Sequence, residues 1–498
     1  MPPAENLRAG RREWLALVVL ALPALLLALD SGVLLLALPA IGADLRTGPA
    51  QLLWAMDVYG FMIAGFLVTM GTLGDRIGRR RLLTAGAAAF GGASVLVAYA
   101  DSATTLIAAR ALLGIAGAAL MPTTLALIGT LFRDPRQRTA AVGVWMACFM
   151  AGMVIGPLVG GVLLRFAWWG SVFLLGVPVM ALLLITAPLL LPADRERTPD
   201  SARLDPLSVL LSLAAVLAAV QGLKGLATGA GTALSSALVL LGLLLGRMFV
   251  RRQRGLARPL LDLGLFADRT IRSVLLIMLL GGAAMGGIGL LTAQYLQLAL
   301  GLDPLSAGLW MLPYALAMLI GSALTPPLAR RIPPGRLIAG GLALAAAGYG
   351  LLLTQAASGG LPVVITGLVV VYLGLAPSAV LGTDLILAAA PADRTGSASA
   401  LSESGSELGF ALGTAVLGSV GTAVYRVRMP EGARTDETFA GAVSRSEELP
   451  AGPGQALFDQ AREAFTDGLT TVAWVCALLA AGLAALALRG IRGAAPAD

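Results

Sequence analysis

Five carboxylates and one guanidinium stand in this chain where hydrocarbon is expected. Asp30 interrupts the apolar run LLALDSGVLLLALP, Asp57 sits in LWAMDVYGFMIAG, and Asp384, Glu403 and Glu407 fall in later apolar stretches, with Arg110 as the buried base. A charged side chain at mid-bilayer costs at least about 2.5–3.5 kcal/mol, so each of these must face a bundle interior, a wet cavity or a satisfied structural partner. Desolvation favours the neutral carboxyl. An acid that meets water on alternate sides can load a proton on one side and release it on the other. When ionised it can hold a cation instead, so proton and cation compete for one group, which is the physical basis of proton-for-cation exchange. The driving force is adequate, at about 2.3 kcal/mol per charge per 100 mV and about 1.4 kcal/mol per pH unit.

Aromatic rings supply the other half of a cation site. Trp54, Tyr59 and Phe61 flank Asp57, and each cation–π contact adds about 0.5–2 kcal/mol. Most other ring-bearing residues read as interfacial belt or packing groups.

The elements that must carry these groups are membrane helices. The chain has 498 residues, 57% hydrophobic and only 13% charged, with a mean hydropathy of +0.85. A soluble domain would carry about a quarter charged residues. A hydrocarbon core of roughly 30 Å needs about 20 apolar residues of helix, and fourteen such runs can be read. The expected division is a cytoplasmic N-terminus 1–13, a six-helix bundle 14–192, a linker 193–204, an extra helix pair 205–250 and a basic amphipathic connector 251–270. A second six-helix bundle follows at 271–489, with an outer loop 426–466, and then a tail 490–498. The end of that loop, ALFDQAREAF, has amphipathic helical spacing, yet a solvated loop is the preferred reading.

Of the 35 basic residues, twenty-six fall in segments on one side, eight on the other, and Arg110 within a span. The positive-inside rule then places both termini in the cytoplasm of a bacterial cell membrane. The net charge of +7 lies in short clusters between apolar runs rather than on a solvated face, which excludes nucleic acid as a partner and suits membrane lipid. Histidine is absent, so proton chemistry falls to carboxylates. No nucleophile–base pair, metal cluster or phosphate-binding G-x-x-x-x-G-K loop is present, so an enzyme, a metal site, a cofactor and ATP-driven transport are not expected. Cys148 and Cys476 both lie in apolar segments, which implies no disulfide framework.

Depth sorts the charges. At 1.5 Å per residue, Asp30 lies about 14 Å below the outer end of its helix, and Asp57 and Arg110 lie about 8 Å below theirs. These three can form one network in the outer half. Asp384, Glu403 and Glu407 lie toward the inside and middle, with Glu403 and Glu407 on one helix face.

Two motifs concern movement. GTLGDRIGRRRLL contains Gly71, Asp75, Arg76, Gly78, Arg79 and Arg80. Its glycines permit a tight inner turn, and Asp75 with the arginines can form an ion-pair latch. In GVWMACFMAGMVIGPLVGGVLL, Gly152, Gly156, Gly160 and Gly161 make a close-packing face and Pro157 kinks the helix.

The first of these motifs resembles the signature loop of the major facilitator superfamily, and the second resembles its antiporter motif. ARALLGIAGAALMP is similar to the family's conserved-arginine motif, with Arg110, Gly114, Gly117 and Pro122 in register. LDSGVLLLALPAI, QLLWAMDVYGF and the stretch Thr383–Ser419 resemble the fourteen-helix drug:proton antiporter branch, whose members export quaternary ammonium compounds and other drugs. The resemblance implies two six-helix bundles plus two helices, working by alternating access without a cofactor, as a monomer. It implies cation recognition at Asp30, Asp57, Glu403 and Glu407, with Asp384, Trp54 and Tyr59 beside them. Proton coupling would fall to Asp57, Arg110, Asp30 and Glu407. A protonated state would close toward the inside, and proton entry at the outer carboxylates would release a lipophilic cation outward. The tenth span has no acid, which puts divalent substrates in doubt. A dedicated exporter of one antibiotic or metabolite remains the alternative.

Overall fold

A computed structural model of the chain describes residues 9–132, 134–192, 205–228, 231–256, 263–354, 360–389, 395–429 and 438–491. The linker 193–204 and residues 257–262 of the connector 251–270 lie outside the described residues, as do the side chains of Asp75, Arg76 and Glu403. The fold is all-helical. The helices are α1 (Arg11–Asp44), α2 (Pro49–Ile77), α3 (Arg79–Ala98), α4 (Ala103–Leu131), α5 (Pro135–Phe166) and α6 (Ser171–Leu190), followed by α7 (Pro206–Thr228) and α8 (Thr232–Gly255). The second half holds α9 (Arg269–Gln294), α10 (Pro304–Ala329), α11 (Pro334–Leu352), α12 (Leu361–Ala389), α13 (Thr395–Arg428) and α14 (Ala451–Gly490). Among the described residues, thirteen helices are long and apolar enough to cross a membrane, and α2 adds a shorter apolar run, Gln51–Leu67. The expected count of fourteen therefore stands, although α1, α13 and α14 run past the expected span ends.

Buried apolar side chains gather into one cluster from the first six helices, including Leu20, Phe90, Leu120 and Trp145, and another from α9 to α14, including Ile288, Met311, Tyr349 and Val472. The start of α1 and the end of α14 lie on one face of the molecule. Arg12 at the start of α1 donates to the Leu189 carbonyl at the end of α6 over 2.7 Å, and Gly490 at the end of α14 packs on Ser273 at the start of α9. This face is called the terminal face below, and the opposite one the far face.

Membrane helices lack a hydrophobic drive to associate, so close backbone approach substitutes for it. Gly413 of α13 lies so near α9 that a Cβ there would fall 1.9 Å from the Ala283 carbonyl oxygen. Gly78, the single residue between α2 and α3, has φ +105°, a conformation that a side chain would strain.

The extra pair α7–α8 packs on itself and lays α7 against α2 and α13, where Phe61, Val220, Ala411 and Ala415 form a small buried cluster across the seam between the bundles. At the terminal end of the pair, Arg252 grips Asp205 through Nε–Oδ2 and Nη2–Oδ1 contacts, both 2.8 Å. That guanidinium holds the Asp205 carboxyl down at about 2.

The segment before the last span differs from the expected solvated loop. Residues 456–465 are helical and continuous with α14, preceded by a short helix, Phe439–Glu448. Phe465 stacks on Phe439 with ring centroids 4.8 Å apart, and Ala461 and Ala464 are buried. The amphipathic spacing thus marked a face that docks on protein. Gly413→Ala is expected to lower the thermal unfolding midpoint in detergent, the overpacking costing about 1–3 kcal/mol. Gly281→Ala, where a Cβ meets nothing within 4 Å, should leave the midpoint unchanged or slightly raised.

Candidate functional site

The membrane-embedded charges begin with a pair. Arg110 sits on α4 with its side chain 1% exposed, and its Nη1 donates to Asp30 Oδ2 of α1 over 2.6 Å. Nε donates to the Ala55 carbonyl of α2 over 3.2 Å, and the guanidinium lies 4.4 Å from the Tyr59 ring centre and 5.7 Å from that of Phe173. A buried guanidinium is tolerated only when its donors and its charge are answered. Here a carboxylate, a carbonyl and two ring faces answer them, and four helices of one bundle, α1, α2, α4 and α6, are tied together by the result. Gly114, one turn along α4, makes room for this approach, since a Cβ there would fall 2.5 Å from the Tyr59 carbonyl oxygen.

Asp57 lies on α2, eight residues from its far-face start, and is 1% exposed. Its Oδ1 is hydrogen-bonded to the hydroxyl of Thr414 on α13, in the other bundle. Asp57, Tyr59, Arg110, Glu407 and Thr414 line one cavity together with Leu34, Met56 and Phe410. Only about 20 Å³ of it admits the centre of a water molecule, room for one or two waters. A drug-sized cation therefore needs the bundles to part.

Of the expected network, Arg110 pairs with Asp30 and lines one cavity with Asp57. Asp30 is committed to Arg110, while Asp57 and Glu407 are presented to the cavity. Tyr59 is on its wall, with the hydroxyl buried. Trp54 is not: its indole Nε1 donates to Gln221 of α7, and its ring meets Phe61 edge-on at 6.4 Å. Asp384 is exposed and absent from the cavity wall. Glu403 stands one helical turn before Glu407 on α13, its side chain outside the described residues.

Sequence reasoning passed over Thr414, Phe410 and Gln221. Thr414 carried a signal. Glu407, Phe410 or Ala411, and Thr414 follow the i, i+3/4, i+7 rhythm of one helix face, so the acids already pointed to the hydroxyl.

The antiporter-like motif of α5 has two faces. Cβ atoms at Gly152, Gly156 and Gly160 would meet Leu25, Leu29 and Val33 of α1 at 2.3 to 3.1 Å. Gly161 instead meets Pro304 and Leu305 of α10, and the Pro157 carbonyl packs against Gly308 of the same helix. Arg165 and Asp303, 3.9 Å apart, extend this seam at the far face. Both are half-exposed, a geometry worth little.

In the signature loop, Arg79 donates to the Ala126 carbonyl of α4 over 3.0 Å and Arg80 reaches the Leu191 carbonyl after α6 at 3.5 Å. Leu191 is the C-cap residue of α6, where backbone carbonyls lack helix partners, so Arg80 caps that end. A Cβ at Gly71 would come no nearer than 3.9 Å to Pro122, an ordinary contact.

Comparison with known proteins agrees in scale with this architecture. The family described as Major Facilitator Superfamily matches residues 20–414. The chain is 42% identical to the multidrug efflux pump LfrA of Mycolicibacterium smegmatis, over 97% of each chain. It is 35% identical to the methyl viologen resistance protein SmvA of Salmonella typhimurium, over 95% of this chain and 98% of that one. It is 31% identical to the tetracenomycin C resistance and export protein of Streptomyces glaucescens, over 97% and 92%. Among solved structures, a bacterial homologue of the human lysosomal transporter Spinster shares the fold, with a TM-score of 0.69 at 18% identity over 97% and 98% of the two chains. The chain is a multi-pass membrane transporter, not an enzyme, and it belongs to the Major Facilitator Superfamily, among drug efflux proteins homologous to LfrA and SmvA.

Proposed function

We propose that this transporter is a proton-coupled antiporter that exports lipophilic cationic drugs by alternating access. The terminal face would lie in the cytoplasm of the bacterial cell membrane. The observation that carries the reading is the cavity between the bundles, where two acids, Asp57 and Glu407, stand with Tyr59 and Arg110. Asp30 and Arg110 neutralise each other within one bundle, so Asp30 acts on the exchange through the position of Arg110. Asp57 and Glu407 then remain as the acids that a proton or a cation occupies in turn. Tyr59 offers a ring face to the guanidinium, and a bound cation would compete for the same surface.

The gating roles of Gly71, Asp75, Arg76, Gly78, Arg79 and Arg80, and of Gly152, Gly156, Pro157, Gly160 and Gly161, belong to this proposal. The α5 glycines support it through their packing on α1 and α10. Asp384 and Glu403 stay as candidates for cation entry near the terminal face. Trp54 acts through its bond to α7.

Two acids on one cavity bring dications within reach although α10 carries no acid. The relative named for methyl viologen resistance, a compound with two positive charges, supports that widening. A dedicated exporter of one antibiotic is favoured by relatives such as the tetracenomycin C and puromycin resistance proteins. A transport panel separates the two.

In inside-out vesicles energised by a proton gradient, Asp57→Asn is expected to abolish ethidium expulsion, and Asp30→Asn to reduce it at least tenfold, roughly the effect of losing one buried ion-pair partner. Full-rate expulsion by both variants would sink the reading. With purified protein, ethidium binding should weaken as pH falls, approaching about tenfold per pH unit where one carboxyl is shared. Binding that ignores pH would point to a different class of exporter.

A further inference from the structure

The central cavity answers the charge of a lipophilic cation but not its apolar part. A second cavity lies one helical turn further toward the far face. Leu38 of α1 and Leu52 and Leu53 of α2 line it from one bundle, and Leu290 of α9 and Gly418 and Gly421 of α13 from the other. About 60 Å³ of it admits the centre of a water molecule, against about 20 Å³ beside Asp57. The stacked rings of Phe439 and Phe465 close a further side.

Among the described residues that line this outer cavity, none is charged. Its hydroxyls are engaged by backbone. Thr422 donates to the Gly418 carbonyl over 3.0 Å, Tyr425 donates to the Thr438 carbonyl over 3.4 Å, and the Thr438 hydroxyl oxygen accepts from the Gly441 N–H over 3.0 Å. Hydroxyls so engaged present mainly carbon to a guest. Gln294, partly exposed, is the remaining polar side chain. A water needs several polar partners to settle, whereas an apolar group gains simply by leaving water. The central cavity is the opposite in kind, with two acids and a guanidinium on its wall.

The two cavities are stacked along the same pair of helices. From Thr414, at the level of Asp57, to Thr422 is about 12 Å along α13 at the rise of a helix. Where the levels meet, a Cβ on Gly418 would stand 3.1 Å from Leu53 Cδ2. That contact across the seam is a side chain against bare backbone, with no second side chain to displace. We infer that the outer cavity seats the unbranched alkyl tail of a cationic amphiphile whose head group is held by Asp57 and Glu407. The inference rests on the cation-export reading and deepens it, dividing one guest between two chemically unlike chambers. A tail of about ten carbons covers the distance from the acids to the outer cavity, which is about eight residues of helix.

The plain alternative is a packing gap that no guest enters. Calorimetric binding of alkyltrimethylammonium ions, from butyl to hexadecyl, separates the two. The protein is purified in nanodiscs at pH 8, with empty nanodiscs as the blank for partition into lipid. Binding should tighten about fourfold per added methylene, the gain from burying one CH₂. It should level off near the decyl compound, where the cavity is full.

Ala440 and Leu298 also line the outer cavity. Ala440→Leu narrows it and should move the levelling point to a tail about three methylenes shorter, while Leu298→Ala widens it and should move that point about as far the other way. Asp57→Asn should weaken the whole series by one common factor and leave the levelling point in place. A levelling point that neither wall variant moves overturns the inference. So does a flat series, the result if lipid acyl chains already fill the cavity. In either case, binding of the butyl compound that still weakens as pH falls leaves the cation reading standing. An Asp57→Asn series that overlays the unsubstituted one removes the seat of the head group, and the cation reading and this inference fall together. Should Ala440→Leu fail to fold, Thr422→Leu is read in the same way.

Discussion

The structure depends on how one charge is buried. Arg110 carries a guanidinium that is 1% exposed, within a medium that penalises ions by several kcal/mol each. Everything nearby answers that demand: Asp30 comes from α1, a carbonyl from α2, and two ring faces close the remaining sides. Because the answer is given by one bundle alone, that bundle can move as a unit without exposing the cation. Across the seam the chemistry is of another kind, a carboxyl against a hydroxyl. An ion pair thus lies within one bundle, beside a hydrogen bond that crosses between the two.

Glycine does for the bundles what charge does for the site. The ladder of α5 glycines on α1 and the Gly413 contact between α13 and α9 fix helices within each bundle at backbone distance. The Pro157–Gly308 contact places the same kind of packing between bundles, where it must be able to part. Small residues suit both tasks, since van der Waals packing replaces the hydrophobic drive that lipid removes.

Much of this was legible in the sequence, for identifiable reasons. Span count follows from runs of apolar residues, which obey bilayer thickness rather than tertiary context. Asp30, Asp57 and Arg110 were legible because charge in hydrocarbon needs an explanation, and depth alone put them near one another. Which partner each would take was not legible, because Asp30 and Asp57 look equivalent until α4 and α13 are placed between them. Thr414 hid among ordinary helix residues, although its spacing from Glu407 marked the face. Asp384 shows the reverse: an acid in an apolar stretch near a helix end can simply reach water. The run ALFDQAREAF was ambiguous because an amphipathic face says that something apolar is covered and not what covers it, and here Phe439 and α13 do so rather than lipid.

The α7–α8 hairpin makes the two flanks of the molecule unlike. On one flank, α7 overlies the junction of α2 and α13, with Gln221 bonded to Trp54 and Val220 wedged beside Phe61 and Ala411. On the other, α5 meets α10 directly, with Gly161 on Pro304 and Leu305 and the Pro157 carbonyl on Gly308. The surrounding lipid therefore meets a flank three helices deep on one side and the α5–α10 seam on the other.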